Sequence, residues 1–218
     1  MRLFKILFLL FPFFLQAQTP GFKFGPRFGA GISQFTNMDN VHSENTLALQ
    51  VGLCARKQFT NYFAIEFCPL VGTYGGRTVG SEVGGYDTLG HPIFYRVKDD
   101  FRVGAVEFPL KAKLSLDIGN YYLDFFVGPS ICVNMFGSHS RKYDDEKYNS
   151  GHGFTGVSIK DLYDGCYAGI AGIGIEKETA KGVFGVDVSW HQMLTPMGKI
   201  ENEKFYVGTC TLGVTWLR

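Results

Sequence analysis

From Phe22 to Ser33 the chain alternates: Phe22, Phe24, Pro26, Phe28, Ala30 and Ile32 share one parity, and Lys23, Gly25, Arg27, Gly29, Gly31 and Ser33 the other. A strand sets these two groups on opposite faces. Seven further stretches behave alike. "TLALQVGLCARK" opposes Leu47, Leu49, Val51 and Leu53 to Ala48, Gln50, Cys54 and Arg56, and "NYFAIEFCPLVGT" opposes Phe63, Ile65, Phe67 and Val71 to Tyr62, Ala64, Glu66 and Cys68. "AVEFPLKAKLSL", "YYLDFFVGPSICVNMF", "DGCYAGIAGIGIE", "GVFGVDVSWHQ" and "FYVGTCTLGVTWL" continue the pattern, the third of these most weakly. Strands of roughly 10 to 14 residues exceed the usual five or six, and they suit a tilted crossing of a hydrocarbon layer.

The connections sharpen this. "QFTN", "DIGN" and "KETAKG" are short, whereas "FTNMDNVHSEN", the stretch from about Tyr74 to Asp100, that from about Gly137 to Leu162, and "LTPMGKIENEK" are long. Short and long connections in strict alternation fit a barrel whose two ends face different compartments. The fold expected is all-β: an eight-stranded antiparallel up-and-down transmembrane β-barrel with short periplasmic turns, long extracellular loops and both termini periplasmic. "YDTLGHPIFY" reads as a hairpin with its turn near Gly90, extending two strands beyond the membrane.

Aromatic placement agrees with two interfacial girdles. Phe22, Tyr62, Phe63, Tyr121, Tyr122 and Trp216 fall near the short-turn end, and Tyr74, Phe136, Tyr163 and Trp190 toward the long-loop end. The girdle residues proper are taken as Phe22, Tyr62, Tyr121, Tyr122, Trp190 and Trp216.

The ends and the charge add compartment. Arg2 and Lys5 precede the apolar run Ile6 to Leu15, which is too short to span a bilayer as a helix and carries Pro12. Residues 1–17 are expected to be a secretory signal peptide and residues 18–218 the barrel domain. Removing Arg2 and Lys5 takes the formal charge from +1 to −1, a balance that offers no field for nucleic acid. Cys54, Cys68, Cys132, Cys166 and Cys210 all lie inside alternating segments. They read as small space-filling side chains, although Cys54 with Cys68, or Cys132 with Cys166, would meet if their strands are neighbours.

Four stretches resemble the PorT-like outer-membrane β-barrel proteins of Bacteroidota: "FGPRFGAGISQF", "VEFPLKAKL", "YLDFFVGPSICV", and "DGCYAGIAGIGIE" followed by "GVFGVDVSW". The resemblance implies an eight-stranded outer-membrane barrel, and in the name-giving branch a component of type IX protein secretion. It implies no single activity. The end, "GVTWLR", departs from a terminal aromatic, leaving Trp216 to signal to the barrel-insertion machinery.

The parity opposite the lipid-facing side carries Arg27, Arg56, Glu66, Glu107, Lys111, Lys113, Asp124, Asp187 and His191. An eight-stranded lumen is just wide enough to be filled by side chains, and charges inside it must pair. Arg27, Glu66, Glu107, Lys111, Asp124 and Asp187 are therefore expected to form a polar network that closes the lumen, with Glu66 or Glu107 as the partner of Arg27. A narrow ion-conducting path is the competing reading. Gly25, Gly29 and Gly31 are expected to leave room for long side chains.

"DVSWH" puts Asp187, Ser189 and His191 on one face, but alternate residues stack about 6.6 Å apart, beyond nucleophile-to-base contact. Lipid-modifying chemistry is thus a minor alternative, and no enzyme activity is expected. In the loops, Asp144, Asp145 and Glu146 lack EF-hand spacing, and His139 and His152 lack a third ligand, so neither metal nor cofactor is expected. The partners expected are outer-membrane lipid, the insertion machinery, and an unidentified extracellular or secretion protein at the outward loops.

Overall fold

The computed structural model describes residues 21–36, 42–143, 157–158, 162–200 and 203–218. The signal segment, the acidic trio 144–146 and His152 lie outside the described residues.

Eight staves form a closed antiparallel ring. In order they are β1 (Phe22–Thr36), β3 (Thr46–Gln58), the broken stave β4 (Phe63–Phe67) plus β5 (Leu70–Tyr86), β6 (Pro92–Asp117), β7 (Tyr122–Tyr143), β9 (Gly165–Thr179), β10 (Gly182–Met193) and β12 (Glu203–Leu217). β12 returns to β1 with ten residue pairs, Arg27↔Thr215 through Thr36↔Tyr206, and this closure leaves no free edge along those segments. Three short strands are appended: β2 (His42–Glu44) on β5, β8 (Val157–Ser158) on β7, and β11 (Gly198–Ile200) on β12.

The predicted phase holds on the first strand. Arg27 is 1% exposed, while Phe28 and Ile32 are 58% and 50% exposed. A one-residue slip would move every side chain of β1 to the other face, setting Arg27 in hydrocarbon at a cost of about 2–4 kcal/mol near mid-depth. β3 repeats the logic, with Leu47, Leu49, Val51 and Leu53 exposed and Ala48, Gln50, Cys54 and Arg56 buried. The glycines of β1 act differently from expectation. A Cβ at Gly25 or Gly31 would collide with the β12 backbone at Trp216 or Cys210, so these two admit a neighbouring strand and not a long side chain; Gly29 does face the Gln50 side chain.

The third predicted strand is interrupted at Cys68–Pro69, because proline has no N–H to give the ladder. Its inward parity nevertheless runs through the break: Ala64, Glu66, Cys68 and Leu70 are all buried. The stretch 74–100 is not a loop. β5 and β6 carry their pairing out to Tyr86↔Pro92, and β7 follows β6 to Tyr143, so three staves rise as a ribbon beyond the others. The turn is where the hairpin reading put it, with Gly90 at φ +83° and Asp87 Oδ1 accepting from the N–H groups of Leu89 and His91, both at 2.8 Å.

The three connections expected to be short are short, whereas the expected long connection between β5 and β6 is corrected to the tight turn Asp87–His91 at the end of the ribbon. β3–β4, β6–β7 and β9–β10 are tight, the last two with Gly119 and Gly182 at φ +87° and +134°. Tyr62, Tyr121 and Trp216 are exposed near that end, and Phe22 and Tyr122 are half-buried there; Trp190, Phe136 and Tyr163 are exposed toward the other. Tyr74 corrects the aromatic reading: it is 1% exposed and points into the lumen.

Candidate functional site

The lumen is layered, and β6 alone shows the order. From the short-turn end its inward residues run Ser115, Lys113, Lys111, Pro109, Glu107, Ala105, Val103, Phe101, all buried.

At the short-turn level Arg56 of β3 lies between two carboxylates. Its Nε and Nη2 donate to Glu66 Oε2 at 3.0 and 2.7 Å, and its Nη1 donates to Glu176 Oε2 at 2.7 Å. Lys111 donates to Glu66 Oε1 at 3.2 Å. Lys113 bonds Glu176 and stands 2.9 Å from Asp124 Oδ2, while Ser115 donates to the other Asp124 oxygen at 2.6 Å. Cys54 and Cys68, opposed on β3 and just beyond β4, form a disulfide that packs with Val183 and Leu217 beside this layer. The space-filling reading of these two cysteines is therefore corrected. The Leu53 N–H bonds the Pro69 carbonyl at 3.1 Å, which leaves Cys54 and Cys68 at the adjacent non-hydrogen-bonded position, where opposed side chains come closest.

At mid-height Arg27 reaches across β12 to Asp187 on β10. Nη2 donates to Oδ1 at 2.7 Å, Nη1 donates to Oδ2, and Nη1 also meets Thr215 Oγ1 at 3.1 Å. Neither Glu66 nor Glu107 is the partner. The choice follows from the ring order, since β10 is only one stave beyond β12, and Gly213 between them lacks the Cβ that would strike the guanidinium.

The third level is built on Glu107. The Tyr74 hydroxyl donates to it, His191 Nδ1 lies 3.0 Å from its Oε1, and Gln50 Nε2 donates to the Tyr74 oxygen at 3.2 Å. His191 Nε2 lies 3.2 Å from Ser189 Oγ, which also meets Thr211 Oγ1 at 2.9 Å. The ring folds back along the strand and bridges the expected 6.6 Å spacing, so the distance argument against Ser189–His191 contact does not hold. Ser189, His191 and Glu107 are each 0% exposed, and their chain of contacts is an interior hydrogen-bond relay.

Above it the lumen turns apolar. Phe35, Phe101 and Phe205 meet edge-to-face, with Phe35 centred 5.8 and 5.5 Å from the other two, and Val103, Met193, Met197 and Val207 complete the layer. Cys132 and Cys166 face each other there as thiols, each beside Met193 Sδ, at 3.9 and 3.7 Å. The Asn134 N–H bonds the Asp164 carbonyl, so this pair holds a hydrogen-bonded position, where opposed side chains stand farther apart.

All six residues of the expected network are thus inside the barrel, but as separate groups: Glu66, Lys111 and Asp124 in the lowest, Arg27 with Asp187 in the middle, and Glu107 above. Glu176 and Tyr74 were missed. Tyr74 shares the parity of Glu66 and Leu70, and that was the signal available; Glu176 sits in the segment whose alternation is weakest. The four cations Arg27, Arg56, Lys111 and Lys113 meet the four carboxylates Glu66, Asp124, Glu176 and Asp187. A cavity of about 10 Å³ lies beside Glu66, Lys111, Lys113, Asp124, Glu176 and Asp187, room for about one water.

A family model described as the outer membrane protein beta-barrel domain matches residues 16–190. The chain belongs to that family. This outer-membrane barrel is also similar to solved structures: the attachment invasion locus protein Ail of Yersinia pestis (14% identity, 90% of this chain and 98% of that one, TM-score 0.37), Neisserial surface protein A (11%, 90% and 96%, 0.42), and OprG of Pseudomonas aeruginosa (9%, 91% and 96%, 0.45). Comparison with curated protein sequences gave no match.

Proposed function

We propose that this outer-membrane barrel is a closed wall-embedded scaffold of structural or binding type, whose work is done by the elements projecting at its long-loop end and not by its lumen. The observation that carries this is the balanced ionic filling: four buried cations against four carboxylates, capped by an aromatic layer. Charges fixed in reciprocal pairs leave no vacant site for a passing ion and hold neighbouring staves in register. The ribbon of β5, β6 and β7 offers a projecting surface, with Tyr86, Leu89 and Phe94 exposed near its tip. The three tight turns gathered at one end, with the ribbon rising at the other, support periplasmic short turns and termini and a ribbon outside the cell.

Planar-bilayer recording of the purified barrel tests the closed lumen. No stable unitary steps are expected; such steps would overturn the scaffold reading in favour of a conducting path. Labelling of a cysteine placed at Leu89 in intact cells tests the orientation, and an unreactive thiol there would reverse it. No change in lipid A or phospholipid is expected on incubation with the purified barrel, followed by mass analysis.

A second reading, a component of type IX protein secretion, is the role of the name-giving branch of the family that "FGPRFGAGISQF" and "VEFPLKAKL" resemble, stretches common to the family at large. Loss of secretion on deletion would establish it, and unchanged secretion would remove it.

A further inference from the structure

The outer wall of the barrel is indented on one flank. A hollow of about 700 Å³ opens there, walled by Phe28, Leu49 and Val51 on one side and by Val71, Met135 and Phe136 on the other. The two walls meet at the seam between β3 and β5. Backbone pairing at that seam is limited to Gln50↔Gly72, Val51↔Val71 and Gly52↔Leu70. Next along, the Leu49 N–H is taken by the Thr73 side chain at 3.2 Å, and β5 leans toward β1, where Ser33 Oγ donates to the Gly75 carbonyl and accepts from the Gly75 N–H at 2.7 and 3.0 Å. A Cβ at Gly76 would press on the Phe35 ring, so glycine there lets the staves come together.

The second wall owes its shape to a β-bulge. The β6–β7 register shifts between Gly104 and Ala105, and the extra residue leaves the sequence neighbours Met135 and Phe136 both facing outward. The Phe136 ring then lies over Gly104, where a Cβ would collide with it.

We propose that this hollow is a lipid-binding site that holds one acyl chain of a bilayer lipid against the flank of the barrel. The depth argues for it: Phe28 and Val51 are paired midway along β1 and β3, Val71 is opposite Val51, and all three stand in the outward apolar rows that the outer-membrane location sets in hydrocarbon. The chemistry argues for a chain and not a headgroup. Of the polar side chains at the hollow, Thr73 is engaged by the Leu49 N–H; Gln50 is buried, its Nε2 donating to Tyr74 and its Oε1 unpartnered but out of reach of the surface; every other side chain there is apolar. An unfilled hollow would forfeit dispersion contacts over its whole lining, and acyl chains are the medium at that depth. The inference does not depend on whether the lumen conducts.

Ala30, exposed on the floor of the hollow, gives the test. Ala30→Trp fills the space from the lipid side without touching the lumen; Val127→Trp places the same bulk on the lipid face of β7 away from it. Each barrel is reconstituted in phosphatidylethanolamine vesicles, extracted in mild detergent, checked for heat-modifiable mobility and weighed by native mass spectrometry. Wild type and Val127→Trp are expected to retain one lipid per barrel, and Ala30→Trp at least fivefold less. Equal retention in all three, or none in wild type, overturns the site. A wild-type dimer that Ala30→Trp abolishes assigns the hollow to a second copy and overturns it equally. Should Ala30→Trp not fold, Val71→Trp fills the same space from the opposite wall.

Discussion

From the short-turn end up to Arg27 the lumen is filled by ion pairs; beyond Glu107 it is filled by three phenylalanines, two methionines and two thiols. The same geometric demand, an interior only as wide as side chains can fill, is met by opposite chemistries. The difference lies in what each tolerates. Ion pairs specify reciprocally: Arg56 on β3 needs Glu66 on β4 and Glu176 on β9, and each of those needs a cation, so one residue ties together three staves. The apolar end specifies by volume, and a smaller side chain there leaves a cavity without orphaning a charge.

The comparison breaks first at Arg56. Arg56→Met leaves Glu66 and Glu176 short of a buried cation and is expected to cost about 3–5 kcal/mol, read as a lower urea midpoint for vesicle-embedded barrel by tryptophan fluorescence. Opening the Cys54–Cys68 link as the double serine variant should cost about 2–3 kcal/mol, since it releases a loop of intermediate length. In the apolar layer Met193→Ala should cost about 2–3 kcal/mol, near the low end for core truncations because neighbouring Met197 can move into the gap. The comparison sharpens at Arg27. Arg27→Leu alone should approach the Arg56 effect, whereas Arg27→Leu with Asp187→Leu should return to within about 1 kcal/mol of wild type, because removing both charges leaves none unpaired. If the double variant is as unstable as the single one, the pair contributes more than mutual neutralisation.

The smallest effect belongs to the ribbon tip. Backbone donation from His91, helped by Leu89 and Gly90, holds the Asp87 carboxyl below the ordinary carboxylate range. A depressed carboxyl stabilises the turn while ionised, so its contribution is present above the ordinary aspartate value and is lost as pH falls through the lowered one. Asp87→Ala is expected to speed amide exchange at residues 87–91 and leave the barrel's urea midpoint unchanged. A shift of the global midpoint would tie the ribbon to the wall more closely than its exposure implies.

Much of this architecture was legible because a strand has period two. The parity of Arg27 among Gly25, Gly29 and Gly31, and of Glu66 with Cys68, told inside from outside before any neighbour was known. The parity persisted through the Cys68–Pro69 break, where the ladder itself did not. What parity cannot carry is distance around the ring or height along it. Asp187 lies 160 residues from Arg27 in sequence yet only two staves away in space. Glu176 shares the parity of Cys166 but sits where the alternation is weakest, and Tyr74 stands near a predicted strand end, where a tyrosine resembles an interfacial residue.

The sequence by itself determined the number of staves, the three short turns, the inward face and the identity of most charges on it, since each follows from local spacing. The tertiary structure alone decided that Arg27 pairs with Asp187, that Cys54 joins Cys68 while Cys132 and Cys166 stay apart, and that one flank is hollow. These depend on register and closure, which fix which residues share a level only once the last stave has met the first.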